Sequence, residues 1–143
     1  MKIAYPIRKA TFKYIESEVY HLEESKREIR NIREEILNPY KPKNINSFKS
    51  KSKYVHTSIT EIQATLLLSN KLLNNLENNV NAIEKVYSRL AEDRKKVIDL
   101  KYFNKDSKLK LEQIADMCFM HRNTVSTIKQ NFIKAIAIEL GII

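Results

Sequence analysis

Between Asp116 and Glu139 the sequence runs 22 residues without a carboxylate, and this stretch holds Arg122, Asn123, Thr124, Ser126, Thr127, Lys129, Gln130 and Lys134. Arg can pair with guanine O6 and N7, and Asn or Gln with adenine N6 and N7, along the major groove of DNA. Lys, Thr and His suit phosphate oxygens, which fix register without reading sequence. A run free of acids suits a surface that approaches phosphates, because a carboxylate there would be repelled. The candidate base contacts are therefore Arg122, Asn123, Ser126, Thr127 and Gln130, and the candidate phosphate contacts are Lys110, His121, Thr124, Lys129 and Lys134. The plain alternative for the five base candidates is a solvated helix face.

Other chemistries find little support. With one glycine in 143 residues, neither a phosphate-binding glycine loop nor a dinucleotide fingerprint is possible, and a hairpin-rich β fold is disfavoured. Cys118 is the only cysteine, which excludes an intrachain disulfide and a cysteine-based zinc site; it reads as a small core residue. His21, His56 and His121 are scattered and make poor metal ligands, so no metal and no cofactor is expected. No paired carboxylates or nucleophile–base set stands out. Ser126 and His121 are close in sequence but read better as helix surface and cap, so an enzyme is not expected. No segment has the apolar length of a signal peptide or a membrane span, the longest apolar run being 64–68, and a cytoplasmic chain without membrane association is expected.

The net charge of +9 points to a polyanion partner but does not locate its site. Thirteen Lys or Arg face seven acids before Ser58, and ten face seven after Leu90. Charge alone would thus favour the N-terminal half.

The elements that must position these residues are all α-helical, and the chain divides at 1–38, 39–57, 58–90 and 91–143. In the first part Phe12, Ile15, Val19, Leu22, Lys26, Ile29, Arg33 and Ile36 recur at alternating three and four, the spacing of one helix face. Pro6 suits a first turn, and the helix should end at Leu37 or Asn38, before Pro39. Residues 39–57 read as a basic, proline-bearing linker that cannot bury a core and is expected to be mobile. Ser58 with Glu61 has capping-box spacing and opens a coiled-coil-like helix. Its stripe is Ile59, Ile62, Leu66, Ser69, Leu73, Leu76, Val80, Ile83, Tyr87 and Leu90. Two uses of that stripe stay open. It either pairs with the first helix in an intramolecular hairpin or forms a dimerisation coil through Ile59, Ile62, Leu66, Leu73, Leu76, Val80 and Ile83.

In the last part a helix from Glu92 to Phe103 turns Val97, Leu100 and Tyr102 or Phe103 inward. A polar turn over 104–108 follows. A second helix from Leu111 to Cys118 buries Leu111, Ile114, Ala115 and Cys118, with Met117 and Met120 as core filling. Three residues on, a third helix from Arg122 to Leu140 buries Val125, Ile128, Phe132, Ala135, Ile136 and Leu140, and Gly141 stands where a left-handed C′ residue belongs. Two short helices joined by a three-residue turn make a helix-turn-helix pattern.

The residues 90–103, 111–115 and 122–129 resemble region 4 of a bacterial sigma factor, a helix-turn-helix that reads promoter DNA and touches RNA polymerase. Over its whole length the arrangement is similar to the RinA/ArpU family of phage transcriptional regulators, including the ending Glu139-Leu140-Gly141. That resemblance implies a sequence-specific activator of phage late genes. It would dock the helix from Arg122 in the major groove of double-stranded DNA and act as a homodimer on two half-sites, with a possible contact to RNA polymerase. Four positions depart from the sigma pattern. Ala91 replaces a proline, which leaves the preceding helix free to run on into Glu92; Lys110 and His121 replace Ser or Thr caps; and Phe119 replaces a glycine. A bulky residue at positive φ is costly, so either that turn has another geometry or Phe119 gains burial in return. Two rivals use the same elements differently: a small-terminase-like DNA-packaging protein, which would form a ring, and a coiled-coil adaptor that binds protein only.

Overall fold

In a computed structural model that describes residues 7–37, 59–104 and 109–142, the chain is all α-helical. Pro6, the linker at 39–57, Ser58 with its capping box, His56, Tyr5 and Tyr40 lie outside the described residues. The helices are α1 (Lys9–Tyr20), α2 (Leu22–Leu37), α3 (Ile59–Ser88), α4 (Glu92–Ile98), α5 (Leu111–Cys118) and α6 (Arg122–Glu139), with a wider π turn, Asp99–Phe103, continuing α4.

The first heptad stripe does not run through one helix. It breaks at His21, whose N–H donates to the Ser17 carbonyl at 3.1 Å. The His21 ring Nδ1 also lies 2.7 Å from that carbonyl. A carbonyl served twice by one residue supports a helix end. The break also shifts the stripe. In α2 the buried positions are Leu22, Ser25, Ile29 and Ile32, while the expected members Lys26 and Arg33 are half-buried and exposed. Long cations keep their charged ends in water, so the neighbouring Ser25 and Ile32 take the inward positions instead.

The break before Glu92 is clean although Ala91 is not proline. The Arg89 and Leu90 N–H groups bond back to Val86 and Tyr87, and Ala91 is extended at φ −67°, ψ 157°. The expectation of run-on from α3 into α4 is therefore corrected: three-residue turns close α3, and α4 gathers Glu92 and Asp93 into a first turn whose dipole favours acids.

The chain forms two compact bodies whose bounds cut across the sequence divisions at 38 and 90. One comprises the chain up to Leu22 with residues from Asn78 onward; the other comprises 23–77. In the first, α1 packs on α6 and on the π turn, and α4, α5 and α6 pack on one another. Its core holds Ile15, Val19, Ile83, Val97, Ile98, Ile114, Val125, Phe132, Ile133, Ile136 and Ala137, all essentially without solvent exposure. The π turn aims Tyr102 into this core, where its ring meets Tyr20 edge-on at 4.8 Å and tilts against Phe132 at 6.4 Å.

In the second body an ion pair joins Arg33 of α2 to Glu77 of α3, so these helices meet within one chain. Burial there is thinner. Ile29 and Ile32 are buried, whereas Ile62, Leu66, Leu73 and Leu76 are half-buried, and Leu67, Leu68 and Leu72 are 69, 70 and 48 % exposed. Among the described residues, no helix is long and apolar enough to cross a membrane.

Candidate nucleic-acid interface

The candidate interface is built on α5, the turn after it, and α6. At the start of α5, Lys110 is extended, and its N–H donates to the Gln113 side chain at 2.9 Å. Gln113 thus supplies half of a capping box and offsets the missing Ser or Thr. Ile114 and Ala115 face inward, the small Ala115 allowing close packing against α6. Cys118 is half-buried.

The chain then uses one helix-ending motif twice. After α5, Met120 N–H bonds to Ala115 O at 2.9 Å and Phe119 N–H to Asp116 O at 3.4 Å; after α6, Ile142 N–H bonds to Ala137 O and Gly141 N–H to Ile138 O, both at 3.0 Å. Each is a Schellman pattern with a left-handed residue at its centre. Gly141 takes that position at φ 72°, as glycine should, and Phe119 takes it at φ 55°. A side chain there costs about 1–2 kcal/mol. Neither alternative drawn from the sequence holds for Phe119: the turn keeps the usual left-handed geometry, and the ring is 94 % exposed. Met117, expected in the core, is also 47 % exposed, since it lies to one side of the face of α5 that Ile114 and Ala115 turn inward.

His121 caps α6. Its Nδ1 accepts from Asn123 N–H at 3.1 Å, and its carbonyl accepts from Thr124 and Val125. Its imidazole therefore does the work expected of the missing Ser or Thr. From this cap α6 turns Val125, Ile128, Phe132, Ile133, Ile136 and Ala137 inward; Ile133 and Ala137 replace Ala135 and Leu140, which are only half-buried. Asn123, Thr124, Thr127 and Gln130 stand exposed along its outer side, with Ser126 half-buried and bonded to Gln130 at 3.4 Å. Thr127 donates back to the Asn123 carbonyl at 2.9 Å.

The acid-free stretch is not free of acids in space. Arg122 meets Glu112 of α5 at 3.4 Å, an open pair with both side chains largely exposed. Lys129 points toward α1, where its ammonium is 3.8 Å from Glu16 and 5.9 Å from the centre of the Phe12 ring. The Tyr102 hydroxyl donates to the same Glu16 carboxylate at 2.7 Å. Burial, and then this hydrogen bond, raise the Tyr102 pKa. Of the candidate phosphate contacts, Lys110, His121 and Thr124 are exposed, Lys134 is half-buried, and Lys129 serves the junction with α1. Glu16, Glu112 and Tyr102 were not legible as partners of this helix. Glu16 and Tyr102 are 86 positions apart, and no local spacing carries such a contact.

Beside the outer side of α6 lies a groove of about 660 Å³. Its apolar lining includes Val86, Leu90, Met120, Ile128, Ala135 and Ile138. Asn123, Thr124 and Thr127 of α6 line it too, together with Asp93 and Arg94 of α4. At one end Glu139 takes Lys85 at 3.3 Å and Arg89 at 2.9 Å. The Lys85 hydrogen bond lowers the Glu139 pKa, loss of hydration opposes it, and Arg89 adds to the lowering. Among the described residues no three His, Cys, Asp or Glu side chains gather as a metal site.

No curated protein and no solved structure matches the chain. Residues 11–138 match the family described as Protein of unknown function (DUF722), from within α1 to the last turn of α6, and the chain belongs to that family.

Proposed function

We propose that this protein is a sequence-specific DNA-binding transcription regulator that docks α6 in the major groove. The observation that carries the reading is the outer side of α6: Asn123, Thr124, Thr127 and Gln130 are exposed together, directly after a three-residue turn from α5, with no carboxylate among them. Asn and Gln are suited to adenine edges, and Arg122, loosely held by exposed Glu112, is suited to guanine. Lys110, His121, Thr124 and Lys134 flank them as phosphate contacts. The resemblance to sigma region 4 and to RinA/ArpU regulators supports an activator of phage late genes, cytoplasmic, acting as a homodimer on two half-sites with a contact to RNA polymerase.

The test is binding to candidate promoter DNA and to random DNA across a salt series. An Asn123→Ala/Gln130→Ala variant should lose specific binding by about 1–3 kcal/mol for each base contact and keep its salt slope. Lys134→Ala should weaken both DNAs alike and reduce the slope by about one. Equal affinity of wild type and variant for both DNAs would overturn the reading. A ring of eight or more subunits would favour the packaging rival, and the absence of salt-sensitive binding would favour the adaptor.

A further inference from the structure

Two acid-free stretches of the sequence meet in space. The chain holds no carboxylate before Glu16 and none between Asp116 and Glu139. The first stretch includes the start of α1, the second includes nearly all of α6, and α1 packs on α6. At the junction Lys129 of α6 lies 3.8 Å from Glu16 and 5.9 Å from the centre of the Phe12 ring. Lys9 stands one turn before Phe12 on α1, and Lys13 one turn before Glu16, so both flank the side of α1 that meets Lys129. Arg8, the residue before α1, adds a third cation. All three are exposed, and none has an ion-pair partner among the described residues.

The fold does not account for these cations. Lys9 and Lys13 are four positions apart, where like charges on a helix repel, and no acid occupies the first turn to offset them. The helix dipole also disfavours cations at that end. Glu16, the nearest acid in sequence, is already engaged by Lys129 and by the Tyr102 hydroxyl. Uncompensated positive charge therefore gathers on the body that carries α6.

We propose that Arg8, Lys9 and Lys13 contact the phosphate backbone of the duplex that α6 enters, which makes α1 a second DNA-contacting element. The proposal rests on the reading of α6 as a major-groove helix. Phosphate oxygens supply the negative charge that the start of α1 lacks, and such contacts position a protein without reading sequence. They also replace a contact withdrawn from α6, since Lys129, expected at phosphate, is held at the junction.

The test is binding of the full chain to candidate promoter and random duplexes across a salt series, with thermal midpoints measured beside it. Arg8→Gln/Lys9→Gln/Lys13→Gln should lower the salt slope by about three on both duplexes and leave the ratio of the two affinities unchanged. Its thermal midpoint should stay or rise, because the repulsion within α1 is relieved. The charge-matched variant Arg8→Lys/Lys9→Arg/Lys13→Arg should keep the wild-type slope. Arg27→Gln/Arg30→Gln, which removes two exposed cations from α2, should keep it as well. A triple Gln variant with the wild-type slope, or an equal loss per charge in the α2 variant, would overturn the proposal and leave the α6 reading standing, since the ratio between duplexes tests that reading and the slope does not. Wild type without salt-sensitive binding would overturn both.

Discussion

The two bodies use apolar side chains in different ways. In the body of α1 and the chain from Asn78, eleven core residues from five helices have almost no exposure, because each helix has neighbours on more than one side. In residues 23–77, two helices face each other with a heptad stripe apiece, and the α3 stripe residues Ile62, Leu66, Leu73 and Leu76 remain half in water. A regular stripe is thus no measure of burial. The interrupted patterns of α4, α5 and α6 lie in the better-packed region, since α6 packs there on α1, α4 and α5 together.

Truncation of core residues should break the molecule unequally along that division. Ile15→Ala removes a fully buried side chain from α1 and should cost about 4 kcal/mol, while Ile32→Ala in α2 should cost about 2 kcal/mol. Urea unfolding read against the slope of each curve checks this. Equal losses would mean that the 23–77 body is packed as fully as the other. The same result tests the sequence division at residue 90. A fragment of 91–143 lacks Ile15, Val19 and Ile83 and should not hold native structure alone, as far-UV and near-UV circular dichroism would show.

The polar contacts differ in the same direction. Glu16 accepts from part-buried Tyr102 and pairs with Lys129, whose side chain is 20 % exposed. Glu16→Ala leaves the tyrosine hydroxyl without this acceptor and should cost about 1–2 kcal/mol. Arg33 pairs with Glu77 in the other body with 58 % of its side chain exposed, and Arg33→Ala should cost about 0.5 kcal/mol or less. A larger loss at Arg33 than at Glu16 would reverse the ranking of the two bodies.

These contacts show how far the sequence could be read. Helix type, the α3 span, α5, α6 and the Gly141 ending followed from periodicity and turn chemistry, which are local. What failed was non-local or a choice between adjacent residues. The split at His21, the swap of Lys26 and Arg33 for Ser25 and Ile32, the exposure of Met117 and Phe119, and the docking of α1 on α6 all depend on what lies across from a residue. For the candidate interface, the exposed row Asn123, Thr127 and Gln130 was legible from helical spacing. The diversion of Lys129 to Glu16 was not, because an acid-free run in sequence says nothing of acids on another helix.

Alkaline pH should act on the better-packed body. The hydrogen bond from the Tyr87 hydroxyl to Asp99, with some desolvation and the Asp99 charge, pushes the phenol up from 10.0 to about 12. Tyr102 is raised by burial and by Glu16. Both folded values lie above the unfolded one, so this stability is complete below pH 10, and the Tyr87 part of it is lost as pH rises through about 12. Stability measured at stepped pH should fall above 10, and less steeply in Tyr87→Phe. A fall of equal slope in that variant would remove Tyr87 as a cause.

The smallest effect belongs to the least-covered surface. Leu68 and Leu72 lie one helical turn apart on α3 and are 70 and 48 % exposed, with a polar neighbour, Asn75, next on that side. Most of their surface is in water in the folded chain, so exchanging it for polar surface removes little burial. Leu68→Gln/Leu72→Gln should therefore change stability by about 0.5 kcal/mol or less. Leu66, Leu73 and Leu76 are half-buried, and Leu73→Gln should cost about 1 kcal/mol or more by placing a polar amide where part of an apolar side chain was covered. The contrast separates the two uses of the stripe. Were α3 a coil between copies through its outer leucines, Leu68→Gln/Leu72→Gln would lower the thermal midpoint in a concentration-dependent way, and Leu73→Gln would not stand apart from it. A concentration-independent midpoint in wild type and double variant, with only Leu73→Gln destabilised, assigns the stripe to the hairpin that the Arg33–Glu77 pair joins.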